Sequence, residues 1–153
     1  MIVVSDTSPL TALLTVNRSE VLPQLFAEVV VPRTVWDELR RSHIELPEWL
    51  KMQDVSDAQE TARLAELLDE GEAEAIELAK ELHADLLLID ERKGRRVAAE
   101  EGVPVIGLLG VVLLAKRRGL IPSARAMMAA LRTEAGAYLS DELLDKALAS
   151  VGE

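Results

Sequence analysis

Cysteine is absent from the chain, which excludes a disulfide framework, a thiolate nucleophile and a cysteine-based zinc site. Aromatic residues amount to only 3%. A core must therefore be assembled from Leu, Val, Ile and Ala, a palette that suits helices packed on a parallel sheet. Histidine is nearly missing as well: His43 and His83 read as isolated surface residues, and no histidine-based site competes with the carboxylates. The longest apolar run, 103–115, is broken by Pro104, Gly107 and Gly110 and falls short of the roughly 20 residues a membrane span requires. The opening residues Met1 to Asp6 carry neither a basic stretch nor a long apolar core, so no signal peptide is read there and a cytoplasmic location is expected.

What is present is a chain of 153 residues, 49% hydrophobic and 29% charged, which is enough for one domain with a real core and unlike a disordered segment. No repeat, low-complexity tract or linker interrupts it. The expected organisation is one domain over residues 1–153, with a helical C-terminal extension from about residue 123. The formal charge of −10 argues against a broad basic surface for nucleic acid. Acids that hold a divalent cation, however, count in that sum without being negative in the loaded site. The basic residues are also grouped, as Arg40-Arg41, Arg92-Lys93 with Arg95-Arg96, and Lys116 to Arg118.

Strand and helix signals alternate along the chain, the pattern of an α/β sheet with crossover helices. Strands are predicted at Ile2–Val4, Val29–Val31, Leu86–Ile89 and Val103–Ile106, with a short one near Val55. Ser8-Pro9 reads as an N-cap followed by proline at the first helical position. Asp69 to Gly71 reads as a break before a helix from Glu72 to His83, and Asp90 to Glu101 as a polar helix. Helices are also expected at 20–27, 32–41, 58–68, 108–118, 123–132 and 140–151.

In an open α/β sheet, ligands bind beyond the carboxyl ends of the strands. Asp6 follows the first strand and Asp90 follows the apolar strand Leu86–Ile89, so both can face one crevice; as single residues, either is also a common cap. Helix phase adds two more acids. At 100° per residue, Glu72 falls on the side of Ala75, Ile76, Leu78, Ala79 and Leu82, while Glu74, Glu77 and Glu81 fall on an opposite, solvated side. In the helix from Pro32, Glu38 flanks the core side next to Val35, and Asp37 points away. Four converging carboxylates repel one another unless a cation lies among them, and an all-oxygen set favours Mg²⁺ or Mn²⁺. Such a cluster can activate water against a phosphodiester.

The segments VSDTSPLTAL, VVVPRTVWDEL, LLDEGEAEAIELAKEL and ADLLLIDERKGRRVAAEEGVPVIGLLGVVLLAKRRGLI, in that order, resemble the PIN-domain family, in particular its prokaryotic ribonuclease-toxin branch. The resemblance covers residues 1 to about 122. It implies a PIN-like three-layer α/β/α sandwich with a central, mostly parallel sheet. It also implies a Mg²⁺- or Mn²⁺-dependent endoribonuclease, the toxin of a type II toxin–antitoxin pair.

By the same resemblance the metal-binding and catalytic acids fall on Asp6, Glu38, Glu72 and Asp90, with Ser8 beside the metal. Glu74 is the alternative if the register shifts, and Glu72 stands where many members carry Asp. The implied partners are RNA, a small antitoxin protein and a second copy of the chain, the last using the apolar helix around Leu108–Ala115. Arg95, Arg96 and Lys116 are candidates to steer phosphate. The competing reading is a PIN-like nucleic-acid-binding module with little or no catalysis. A phosphoacceptor receiver domain is disfavoured, because the chain lacks the adjacent acidic pair after strand one and the lysine after the last strand.

Overall fold

The computed structural model describes residues 1–43 and 45–153. The β-branched run Ile2–Ser5 forms β1 and Glu28–Val31 forms β2, while Leu50–Met52, Leu86–Leu88 and Val105–Ile106 form β3, β4 and β5. All pair in parallel, in the order β3-β2-β1-β4-β5. β1 is therefore the middle strand, and the order reverses on either side of it. That reversal opens the crevice in which a doubly wound sheet binds its ligand.

Alternation along β1 shows how the layers are built. Val3 belongs to an apolar cluster on one face with Leu10, Leu13, Phe26, Val35 and Val112, while Val4 belongs to a second on the other face with Ala75, Ile76, Leu78 and Val97. The first face is covered by α1 (Thr7–Thr15), α2 (Val21–Leu25), α3 (Arg33–Ser42) and α7 (Leu108–Arg117), with α8 (Ala124–Glu134) and α9 (Asp141–Ala149) outside them. The second is covered by α4 (Ala58–Ala65), α5 (Glu70–Leu82) and α6 (Arg92–Glu100). The result is the expected three-layer α/β/α sandwich, with a sheet that is parallel throughout.

Several sequence expectations require correction. The third strand lies at Leu50–Met52 and not near Val55; it is an edge strand, and its Leu-Lys-Met sequence carries no β-branched signal. Helix α5 begins at Glu70, because Asp69 accepts the Glu72 N–H at 2.8 Å and caps it, so Gly71 lies inside the first turn. Ser8 is not an N-cap: α1 begins at Thr7 with Asp6 at its cap position. On α7, Leu108, Val111, Val112 and Ala115 are buried within the chain's own core, against α2, α8 and α9. The apolar face offered for pairing with a second copy is therefore largely used internally. His83 is exposed as expected, at a left-handed helix end with φ 50°. His43 is half-buried, with its Nε2 enclosed and unpartnered among the described residues.

Candidate active site

The end of β1 is fixed from both sides. The Asp6 N–H donates to the Leu88 carbonyl at 2.9 Å, tying the last turn of β1 to the end of β4. The Asp6 side chain is buried at the start of α1. Loss of water pushes its pKa up to about 6; the Thr7 N–H opposes the shift, and the charges of Asp69, Glu38 and Asp90 add to it. Asp6 is thus the acid on which the neighbouring carboxylates bear.

Glu72 comes from the first turn of α5 and is buried, with its Oε2 enclosed and without a hydrogen-bond partner among the described residues. Its pKa rises to about 8, first through desolvation, then through proton sharing with Asp69 and the charges of Asp69, Asp6 and Glu91. Glu38 lies between two helix starts: the Thr7 hydroxyl donates to its Oε2 at 2.6 Å, and its Oε1 faces Gly71 of α5. Asp90 follows β4 with an exposed face, and its Oδ1 accepts the Leu108 N–H at 2.9 Å. Partial desolvation raises its pKa against the pull of that amide and of Arg95.

The acids are accommodated by missing side-chain atoms. A Cβ on Gly94 would stand 2.8 Å from the free Glu72 Oε2, one on Gly107 would stand 2.7 Å from Asp90 Oδ1, and one on Gly71 would stand 3.2 Å from Glu38 Oε1. Each of these carboxylates therefore lies close against a glycine, where a side chain would force it to shift. Sequence reasoning did not find this, nor the roles of Thr7, Asp69 and Glu91, whose side chains hold Glu38, the Glu72 N–H and the Gly94 N–H. A signal was available in part, since Asp69-x-x-Glu72 has the spacing of a capping box.

The structure separates Glu72 from Glu74. Glu74 is buried, but it takes the N–H and hydroxyl of Thr34 at the start of α3, so it points away from Asp6 and caps another helix. Ser8 is exposed and lines the same groove as Asp90. Of the basic candidates, Arg95 donates to the Ile89 carbonyl at 3.0 Å and sits beside Gly107. Arg96 is exposed and does not line the groove. Lys116 is engaged elsewhere, donating to the Pro122 carbonyl at 2.8 Å near Glu153.

A DUF3368 family model, described as a PIN domain, matches residues 2–153. The chain belongs to the PIN-domain family. PIN domains are generally nucleases, which act on nucleic acid and typically use divalent metals. No curated protein and no solved structure matches the chain.

The acids of this PIN domain suit such a metal. The all-oxygen donor set is of the kind a hard divalent cation takes, and the enclosed Glu72 oxygen is left unpartnered among the described residues. The set is open: among the described residues, no three acidic or histidine side chains close on one point as a ready-made cage. Among those residues, too, no helix is long and apolar enough to cross a membrane.

Proposed function

We propose that this PIN domain is an endoribonuclease dependent on Mg²⁺ or Mn²⁺, acting through Asp6, Glu38, Glu72 and Asp90. We propose further that it is the toxin partner of a small antitoxin protein. The observation that carries the reading is the Glu72 carboxylate, buried beside Asp6 with an oxygen that nothing in the described chain satisfies. Burial first, and the acids around it second, push this carboxyl up to about 8, so its ionised form is costly to keep unless a cation joins it.

The bound cation supplies charge neutralisation at a phosphodiester and a more acidic water. The protein's own groups do the rest. Asp6 and Glu72 present the inner oxygens. The Thr7 hydroxyl orients Glu38, and the Leu108 N–H orients Asp90. Arg95, fixed to the Ile89 carbonyl, places positive charge where a phosphate enters. Ser8 lies at the rim, where its hydroxyl can donate to a bound group.

Purified protein with Mn²⁺ on mixed RNA, compared with Asp6→Asn and with a DNA substrate, tests the reading. RNA cleavage that disappears in Asp6→Asn is the expected result, and cleavage that survives the substitution sinks the site. The open donor set supports a second reading, a nucleic-acid-binding module. RNA retention without cleavage by either protein would favour it. Co-purification with a small DNA-binding partner that blocks cleavage tests the toxin role.

A further inference from the structure

We infer that the groove beside Asp90 is the path of single-stranded RNA and that Tyr138 is the platform on which one of its bases stacks. The inference rests on the nuclease reading of the acidic crevice and adds what the strand touches outside it.

The groove measures ≈ 1140 Å³ and runs from Ser8, Asp90 and Arg95 across the start of α7 to the segment joining α8 and α9. At that size it exceeds the space a drug-sized ligand needs. The joining segment forms no helix or strand, yet it is anchored. Ala135, Ala137 and Leu139 pack inward on the core, and the Ala137 N–H donates to the Leu131 carbonyl at 3.0 Å. Gly136 turns the chain with φ 68°. Alternation along this extended stretch sends the residue between Ala137 and Leu139 outward, and that residue is Tyr138, 95% exposed.

No other aromatic side chain is placed this way. Phe26 is buried, and Trp36 and Trp49 pack against the core. Tyr138 contributes almost nothing to burial, so the fold does not explain its ring. An exposed aromatic face beside a groove is what an unpaired base needs, whereas a paired base has no free face to offer.

Charge agrees with this assignment. Arg92 and Arg95 line the same groove, and Arg95 is held in place by the Ile89 carbonyl. In a chain of net charge −10, these two arginines balance Asp90 and Glu91 in the groove lining and offer contacts to a phosphate backbone. Leu109 and the exposed Leu143 on the groove wall supply apolar surface against which bases can lie.

Fluorescence anisotropy decides the matter, using a labelled oligoadenylate of about ten nucleotides and a duplex of the same length. Ca²⁺ replaces Mn²⁺ so that binding is read without turnover. Tyr138→Ala is expected to weaken single-strand binding about tenfold, and Tyr138→Phe, which keeps the ring, to stay within about twofold. Duplex binding is expected to be the same in all three proteins. Arg92→Gln is expected to reduce the salt dependence of log Kd by about 0.7, one phosphate contact on a single strand. The thermal midpoint of Tyr138→Ala should match that of the parent, since its ring is exposed.

Unchanged affinity in Tyr138→Ala, or equal losses in both variants, overturns the inference. So does a Tyr138→Ala protein that keeps its RNA affinity but loses a co-expressed protein partner. Tyr138-dependent binding without Mn²⁺-dependent cleavage sinks the catalytic reading and leaves this one standing. Cleavage with Tyr138-independent binding does the reverse.

Discussion

The two ends of α5 use the same residue type in opposite ways. At its start, Glu72 meets Asp69, Asp6 and Glu91, and every neighbour that shifts its pKa is another acid. Toward its end, Glu77 is just as deeply buried and its Oε1 too lacks a hydrogen bond among the described residues, but Lys80 stands 3.5 Å from that oxygen and also holds Glu60 at 3.0 Å and Glu101 at 2.9 Å. Arg63 closes that network by bonding Glu60 and Glu101. Glu81 completes it by accepting the Ser56 and Asp57 N–H groups at the start of α4. One end of the helix is tied to its neighbours through the chain's own cations, whereas the acid at the other end has only further acids around it.

The sharpest way to break this contrast is to neutralise each end separately. Glu72→Gln should lower Mn²⁺-dependent RNA cleavage by at least about 100-fold, while Glu77→Gln leaves it within about twofold, read as initial rates on one RNA. Equal losses in both would erase the distinction between the two ends.

The next effect is in the pH dependence of stability. Folding raises Asp6 from 3.8 to about 6 and Glu72 from 4.5 to about 8. The folded state therefore binds more protons than the unfolded state between those values, and stability falls as pH rises through that window. Glu77, raised from 4.5 to about 7 by desolvation and by sharing with Glu81, adds to the same slope. Metal-free protein should lose on the order of 2 kcal/mol between about pH 5 and about pH 8.5, after discounting for solvent screening. Mn²⁺ should flatten the part due to the crevice and leave the part due to Glu77. Urea midpoints across pH, with and without Mn²⁺ and in Glu72→Gln, measure the two parts.

Lys80→Met tests the balanced end, since it strands the Glu77 carboxylate. A loss of about 1 to 2 kcal/mol by urea unfolding is expected, with cleavage per folded molecule unchanged. The smallest effect should come from Thr7→Val, which frees Glu38 from its hydroxyl donor. It should lower activity about tenfold with little change in stability, and an unaffected rate would remove Thr7 from the site.

Much of this was legible in the sequence, and the unreadable part has physical causes. Alternating strand and helix signals revealed the α/β sheet with crossover helices, and the family resemblance implied the three-layer sandwich. The strand-end rule found Asp6 and Asp90, and helix phase brought Glu72 toward the interior. The same phase argument sent Glu74 and Glu77 to solvent, and there it failed. It assumes a helix with one packed face, but α5 is clasped by α3 and α4 as well as by the sheet. Glu74 and Glu77 are buried where those helices cover it. Thr7, Asp69 and Glu91 were missed because a hydroxyl or carboxylate that steadies another group looks, in one dimension, like any cap. The glycines beside the acids escaped notice because their meaning lies in what an absent atom would strike.

The sheet order also sets a schedule. β1 leaves the ribosome before the other four strands, yet its partner β4 at Leu86–Leu88 and the Leu108 N–H that steadies Asp90 are made long afterwards. During synthesis the early acids have no crevice to share. Asp6, Glu38 and Glu72 therefore precede in synthesis both the strand that pairs with β1 and the amide that holds Asp90.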